Sequence, residues 1–206
     1  ARIQLLISGR GTNESYEEQG ELQLTDYGIS GIPVFQLSRF AAAALDAGRQ
    51  VKASIDFLPG FRDNEALWQE LVEEKCTSCR QRSMEVLFGG LVNKKIIQTA
   101  VKLCGLSMGD RAERKNLPAI RKVFALLRSF EVQVTDTNPF ANAQVCAGGV
   151  PLTEVDGHLE SRICPGLYLA GELLDADGRC GGYNLQWAWT TGYIAGKDAV
   201  LSLGKP

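Results

Sequence analysis

Histidine is almost missing from this chain, since His158 is the only one among 206 residues. A Ser-His-Asp triad, an HExxH zinc site and a polyhistidine metal cluster all need imidazoles at set spacing. The sequence therefore nearly excludes these three kinds of site. It assigns no metal ligand and no catalytic acid or base.

Long apolar runs and an excess of one charge are missing as well. No run approaches the roughly 20 residues of a membrane-spanning helix. The 22 basic and 24 acidic residues leave a net charge of −2, which supplies no broad electrostatic footprint for nucleic acid or an anionic membrane. We therefore expect neither a nucleic acid nor a membrane as a partner.

The cysteines show no disulfide framework. The six are scattered and no signal-peptide pattern precedes them, which favours reduced thiols in a cytoplasmic protein. Ala1 stands first in place of Met, and Ile3, Leu5 and Ile7 already alternate like a half-buried strand. This beginning suggests the middle of a longer protein.

Residues 1–60 have mostly a strand pattern. After the alternation at Ile3 come a polar stretch at 8–19, a short alternation at Leu22 and Leu24, and a clean period-two run at 51–57. One helix interrupts them, with Pro33 in its first turn and Gly48 as its stop. This content predicts a small β-barrel with one helix.

Residues 61–129 change to a helical period. Apolar residues at helical spacing, with caps and glycine stops, predict four short helices in a compact subdomain. Val132 and Val134 then return to strand, and 143–150 is predicted as another strand. The predicted domains are thus a barrel at 1–60 and 130–150, a helical subdomain at 61–129, and a separate segment at 151–206.

The last segment carries the chemistry. A predicted strand at 166–172 ends in Gly171 and Glu172, and a loop at 175–182 leads into a helix from about Tyr183 to Leu201. This is the α/β pattern of a ligand site at the end of a strand. Gly181 and Gly182 let backbone approach a ligand closely, and the first amides of the helix can attract an anion.

Several motifs resemble the HI0933-like flavoproteins, a family of FAD-dependent oxidoreductases. A carboxyl-terminal set consists of GGV at 148–150, ES at 160–161, PGLY at 165–168, GELLD at 171–175 and GGYNLQWA at 181–188. A second set, GEL at 20–22 and TDYGISG at 25–31, follows the family's order. The resemblance covers essentially the whole chain.

The resemblance implies an α+β fold. In the family, a translation-factor-like β-barrel interrupted by a helical subdomain is inserted into an FAD-binding domain, and the chain then returns with the closing strand, loop and helix of that Rossmann-like domain. It also implies a cofactor, FAD, with the acid of the glycine-acid pair facing the ribityl or pyrophosphate region. The implied cofactor-binding residues are Gly171, Glu172, Gly181, Gly182, Asn184, Leu185 and Gln186.

The sequence also departs from the family pattern. Asp26 stands where many relatives have histidine, and Ile32 separates Gly31 from Pro33. No G-x-G-x-x-G occurs in the chain, although this turn cradles the dinucleotide pyrophosphate. We therefore expect the carboxyl-terminal part of a larger flavoprotein, inactive alone, with the amino-terminal FAD-binding half missing.

Other candidates carry less weight. Cys76 and Cys79 have redox or metal spacing but lack a second ligand pair for zinc. Cys180 adjoins the predicted flavin loop beside Arg179, although a small residue filling a tight loop explains it more simply. The basic stretch at 111–122 fits a solvated helix face, His158 fits a surface turn, and of Trp187 and Trp189 one is expected in the core.

The sequence thus predicts part of an FAD-dependent oxidoreductase that acts on a small organic molecule by hydride or two-electron transfer. The alternative is a non-catalytic barrel-plus-helix interaction module without a cofactor. The alternative leaves the residues at 171–186 without a purpose.

Overall fold

The computed structural model of this chain describes residues 1–9, 11–78 and 81–203. It divides into two compact units, Ala1–Asp136 and Thr137–Pro206. The sequence places a domain boundary after residue 150, whereas the compact units divide at 136. The finer subdivision into barrel and helical subdomain stays a prediction.

The described strands all lie in the first unit. They are β1 (Arg2–Gly9), β2 (Thr12–Gln19), β3 (Gln23–Leu24), β4 (Ile29–Ser30), β5 (Gln50–Asp56) and β6 (Phe130–Val134). Four of them form an antiparallel sheet in the order β2-β1-β5-β6, while β3 and β4 pair separately. The alternating strand patterns predicted at β1, β5 and β6 are confirmed.

One face of this sheet packs on helix α1 (Ile32–Asp46). Leu5 lies opposite Ala53 in the β1–β5 register, and both are buried in one cluster with Leu37 and Ala41 of the helix. Pro33 lies in the first turn of the helix, as predicted. Gly48 follows the end of the helix and has a φ of 70°. Period two on the strands and period 3.6 on the helix thus meet in one core.

The second core of this unit is helical. Helices α2 (Glu65–Ser78), α3 (Met84–Phe88), α4 (Lys94–Leu103) and α5 (Leu117–Arg128) confirm the four predicted helices. Phe124 lies at the centre, with its ring centroid 4.8 Å from that of Phe88 and 5.7 Å from that of Trp68. All three aromatic side chains are buried.

The predicted barrel is not confirmed. Among the described residues the sheet is open, with β2 and β6 at its edges. The prediction also missed β2, because its residues are polar and mostly exposed. This strand is held by ion pairs such as Arg49–Glu14 (2.6 Å) and by the ring of Tyr16 stacked on Phe40, with centroids 3.9 Å apart.

The second unit consists of one long helix and a series of tight turns. Helix α6 (Tyr183–Leu203) confirms the predicted helix. The strands predicted at 143–150 and 166–172 are wrong, since the structure has only isolated bridges there, Val150 with Leu174 and Glu160 with Tyr168. A strand needs a neighbour along its length, and the described residues of this unit supply none.

Candidate functional site

The turn at Gly171 is fixed to helix α6. Gly171 has a φ of 70°, its N–H donates to Thr191 Oγ1 (2.8 Å), and its carbonyl accepts the indole N–H of Trp187 (3.1 Å). Thr191 is buried and donates in turn to the carbonyl of Trp187 (2.7 Å). Both backbone groups of Gly171 are therefore used to hold the turn in place.

Glu172 follows in the same 3₁₀ turn, Gly171–Leu173. Its Oε1 accepts the backbone N–H of Cys146 at 2.5 Å, and its side chain lies at the surface. A carboxylate has two oxygens and about four acceptor sites. One hydrogen bond therefore leaves it able to accept others, such as those of sugar hydroxyls.

The loop before α6 is closed by Asn184. Its Oδ1 accepts the N–H of Gly178 (2.7 Å) and its Nδ2 donates to the carbonyl of Gly178 (3.1 Å). A Cβ on Gly178 would lie only 2.9 Å from Cβ of Tyr183, which explains why glycine stands there. Because both ends of the Asn184 amide bond to the backbone of Gly178, this side chain shapes the loop.

Helix α6 begins at a bare stretch of backbone. Gly181 and Gly182 have φ values of 132° and 92°, and the first turn closes with Gln186 N–H donating to the Gly182 carbonyl (3.0 Å). The amides of residues 183–185 precede this bond, so they have no partner within the helix. A Cβ on Gly182 would meet nothing within 4 Å, so a ligand can approach here.

Five of the predicted residues lie where α6 begins: Gly181 and Gly182 precede the helix, and Asn184, Leu185 and Gln186 belong to its first residues. Gly171 lies against the next turn of the helix, where an added Cβ would be 3.7 Å from Cβ of Ala188. Leu185 is 60% exposed, while the side-chain amide of Gln186 donates to Thr190 Oγ1 (2.9 Å).

Sequence reasoning missed two supporting residues, Thr191 and Gly178. A threonine in mid-helix among apolar neighbours is a weak signal for a buried hydrogen bond, because such residues also occur at the surface. Of the two tryptophans, Trp187 packs against the core of this unit and Trp189 is 67% exposed, in line with the expectation that one belongs to the core.

Helix α6 is apolar on two opposite sides. One side packs on the rest of the unit through Trp187, Thr191 and Ala195. The other carries an exposed stripe at intervals of three or four residues, which we call the α6 stripe: Leu185, Trp189, Gly192, Gly196, Val200 and Leu203. A helix that is apolar all round is typically covered on both sides.

The other sequence candidates are dispersed. Cys180 is exposed, Cys76 is buried, and Cys79 lies outside the described residues. His158 lies at the surface, with Nδ1 3.0 Å from Asp198 Oδ2. In the part of the chain that the structure describes, no three His, Cys, Asp or Glu side chains form a possible metal site.

One groove lies outside this region, in the first unit. The first unit has an open groove of about 590 Å³, whose walls include Leu22, Phe57, Asn93, Lys95 and Ile96. Within the described ranges, no helix combines the length and the apolar character that crossing a bilayer requires.

Comparison with known proteins defines the class. A family model described as "HI0933-like protein Rossmann domain" matches residues 69–198, which is more than half of the chain. The chain therefore belongs to the HI0933-like family. This confirms the resemblance seen in the motifs at 148–188. The names of three curated relatives support an oxidoreductase.

Three curated relatives are similar to nearly all of the chain. A "3-dehydro-bile acid delta(4,6)-reductase" of Clostridium scindens is 42% identical over 185 residues, covering 89% of this chain and 45% of the relative. Two proteins named "Ribosomal RNA dihydrouridine synthase" are 27% identical (Escherichia coli; 88% and 42% covered) and 28% identical (Haemophilus influenzae; 84% and 40%). The chain thus spans less than half the length of each relative.

Proposed function

We propose that this chain forms part of an FAD-dependent reductase and that the start of helix α6 holds the pyrimidine edge of the flavin. The observation that carries the proposal is the accessible backbone at Gly181 and Gly182. It precedes the amides of residues 183–185, which have no partner within the helix. The family assignment and the reductase among the relatives support the same function.

The residues present fit a flavin. The φ of Gly182, 92°, favours glycine, and the space a side chain would enter is open to a ligand. The amides of residues 183–185 can donate to the N1 and C2 carbonyl edge of the ring, where the positive end of the helix dipole stabilises negative charge. When bound and reduced, the flavin would supply the hydride that reduces the substrate and would itself return to oxidised FAD.

The neighbouring residues have positioning roles in this proposal. Asn184 clamps Gly178 and so fixes the path of the loop into α6. Thr191 and Trp187 hold the Gly171 turn against the same helix, which places Glu172 where its free oxygen can accept a hydrogen bond from a sugar hydroxyl. In this proposal Gly171 only holds its turn in place, while Glu172 and the backbone at Gly181 and Gly182 face the cofactor.

The α6 stripe supports a second part of the proposal. We infer that it packs on the remainder of a dinucleotide-binding domain that this chain does not include. A Cβ added to Gly192 or Gly196 would meet nothing within 4 Å. A second layer of secondary structure can therefore approach the helix backbone closely. Without the G-x-G-x-x-G turn of that layer, we expect the chain alone to retain little FAD.

The names of the relatives indicate the reaction class. One names a reductase of double bonds, delta(4,6), and the other names the synthesis of dihydrouridine, which is uridine with two added hydrogens. We propose the same chemistry for the whole protein. A hydride is added to one carbon of an activated C=C bond and a proton to the other, so that the substrate gains two hydrogens and two electrons.

The test uses the whole protein in two steps. Bound flavin is first identified by its visible spectrum and by release on denaturation, and stoichiometric FAD is expected. The reduced enzyme is then mixed without oxygen with a conjugated steroid enone or with uridine-containing RNA. Reoxidation of the flavin together with a product two hydrogens heavier supports the proposal. Absence of flavin overturns it, and so does a reduced flavin that neither compound reoxidises and that reoxidises only when oxygen is readmitted.

A further inference from the structure

The charge of the chain is distributed unevenly. Residues 81–128 contain ten Lys and Arg but only three Asp and Glu, a net charge of +7 in a chain whose total is −2. Such asymmetry within one protein indicates a polyanionic partner more clearly than the total charge does.

The three acidic residues in this segment are already engaged. Glu85 pairs with Lys94 at 2.5 Å, Glu113 pairs with Lys115 at 3.0 Å, and Asp110 accepts the backbone N–H of Ser107 at 2.8 Å. The two glutamates are thus each paired with one lysine, and the charge of Asp110 is already counted in the net charge of +7.

Six cations remain exposed, and the described residues provide no ion-pair partner for any of them. We call them the basic set: Arg82, Lys95, Lys102, Arg111, Arg114 and Lys122. Exposed cations that lack counter-charges create a positive surface potential, which attracts anions.

The arginines of the basic set come together through backbone pairing. Ser83 forms an antiparallel bridge with Arg111, and Ala112 N–H donates to the Arg82 carbonyl (2.9 Å). Arg114 follows three residues after Arg111, in a turn where Asn116 Nδ2 donates to the Arg111 carbonyl (2.8 Å). Two chain segments thus bring the backbones of Arg82, Arg111 and Arg114 close together, and all three side chains are exposed.

The lysines of the basic set lie on α4 and α5. The Lys94–Glu85 ion pair ties the start of α4 to α3, which begins two residues after Arg82. Lys95 and Lys102 are seven residues apart and so share one face of α4. Beyond Lys102, Lys122 lines a surface hollow with Leu103 and Cys104.

We propose that the basic set binds the phosphates of a folded RNA. This inference deepens the proposed function, since it places the reducible double bond within an RNA base. An anionic membrane fits less well, because the apolar face of α4 (Ile97, Ala100, Val101) is buried in the core and cannot insert into lipid. A protein interface is normally apolar at its centre, whereas exposed Gln98 and Thr99 lie between the two lysines.

The test measures binding of the whole, flavin-loaded protein to labelled, protein-free bacterial ribosomal RNA over a range of salt concentrations. Two charge-removal variants are compared, Arg82→Gln with Arg111→Gln and Lys95→Gln with Lys102→Gln. Each pair is expected to weaken binding roughly tenfold and to reduce the slope of log K against log salt by about 1.5, the effect of two lost phosphate contacts.

The matched control is Lys52→Gln with Lys197→Gln, which removes the same charge outside the segment at 81–128. Equal weakening by the control, failure of the protein to bind RNA, or preferential binding to phosphatidylserine vesicles overturns the inference. Flavin content and reduction of a small enone are measured on the same samples. A loss of those activities bears on the proposed function and leaves the RNA-binding result independent.

Discussion

At the scale of single residues, Thr191 links the candidate site to the core of the second unit. Its buried hydroxyl accepts from Gly171 N–H and donates to the Trp187 carbonyl. Thr191→Val keeps the shape but leaves the Gly171 N–H without an acceptor, which should cost about 1–3 kcal/mol of stability. Denaturant unfolding of the whole protein measures this cost. Thr191→Ser keeps the hydroxyl, and equal losses in both variants would contradict the assignment.

Gly182 lies directly before α6, and a Cβ added to it would meet nothing within 4 Å. Gly182→Ala places a methyl group in the open approach, so bound FAD should fall several-fold in the purified whole protein. Gly166→Ala is the matched control, because Gly166 also has a positive φ (83°) and open space around its built Cβ. Both variants carry a similar backbone strain of about 1–2 kcal/mol. Equal FAD loss in both would attribute the effect to strain.

Asp156 gives a pH dependence at the same scale. The backbone N–H groups of Glu160 and His158 donate to its Oδ1 and lower the pKa of the carboxyl. The stabilisation is present above the unfolded carboxyl pKa, about 4, and is lost as the pH falls through the lower folded value. In acid titrations of unfolding, Asp156→Asn should lose less stability than the parent protein. An identical acid dependence would contradict this.

At the scale of the element, helix α6 makes a prediction with an unusual sign. Gly196→Leu should favour an exposed helix by up to about 1 kcal/mol through helix propensity. If the α6 stripe is covered in the whole protein, the added bulk should instead destabilise it by about 1–3 kcal/mol. Thermal unfolding measures the sign. Lys197→Leu, one residue away and off the stripe, should change stability little, and a stabilising Gly196→Leu would contradict the packing.

The elements also show what a sequence pattern can predict. The alternation of Val51, Ala53 and Ile55 marks β5 because each inward side chain is apolar. Strand β2 lacks that alternation, since its pairing with β1 and its ion pairs come from residues distant in sequence. The apolar run at 166–172 resembles a strand, yet pairing depends on neighbours that the described unit does not contain.

The candidate site was predictable to a similar extent. The motifs at 171–175 and 181–188 located the residues, because glycines and a following helix have a distinct sequence pattern. Their roles were not predictable. The side-chain amide of Asn184 bonds to Gly178, and the backbone of Gly171 bonds to side chains of α6. Such partners are decided only when the loop is folded.

At the scale of the whole molecule, the net charge of the chain conceals a strongly basic segment. The net charge of −2 argues against a nucleic acid, and that expectation stays a prediction. The segment at 81–128 alone carries +7, so the surface that a partner meets differs from the mean.

The central claim is that α6 presents its first amides to a flavin, and an experimental structure of the whole FAD-bound protein tests it most directly. We predict that the N1 and C2 carbonyl edge of the ring lies about 3 Å from amide nitrogens among residues 182–185, with the α6 stripe buried. A flavin bound elsewhere, with these amides facing solvent, would contradict the account.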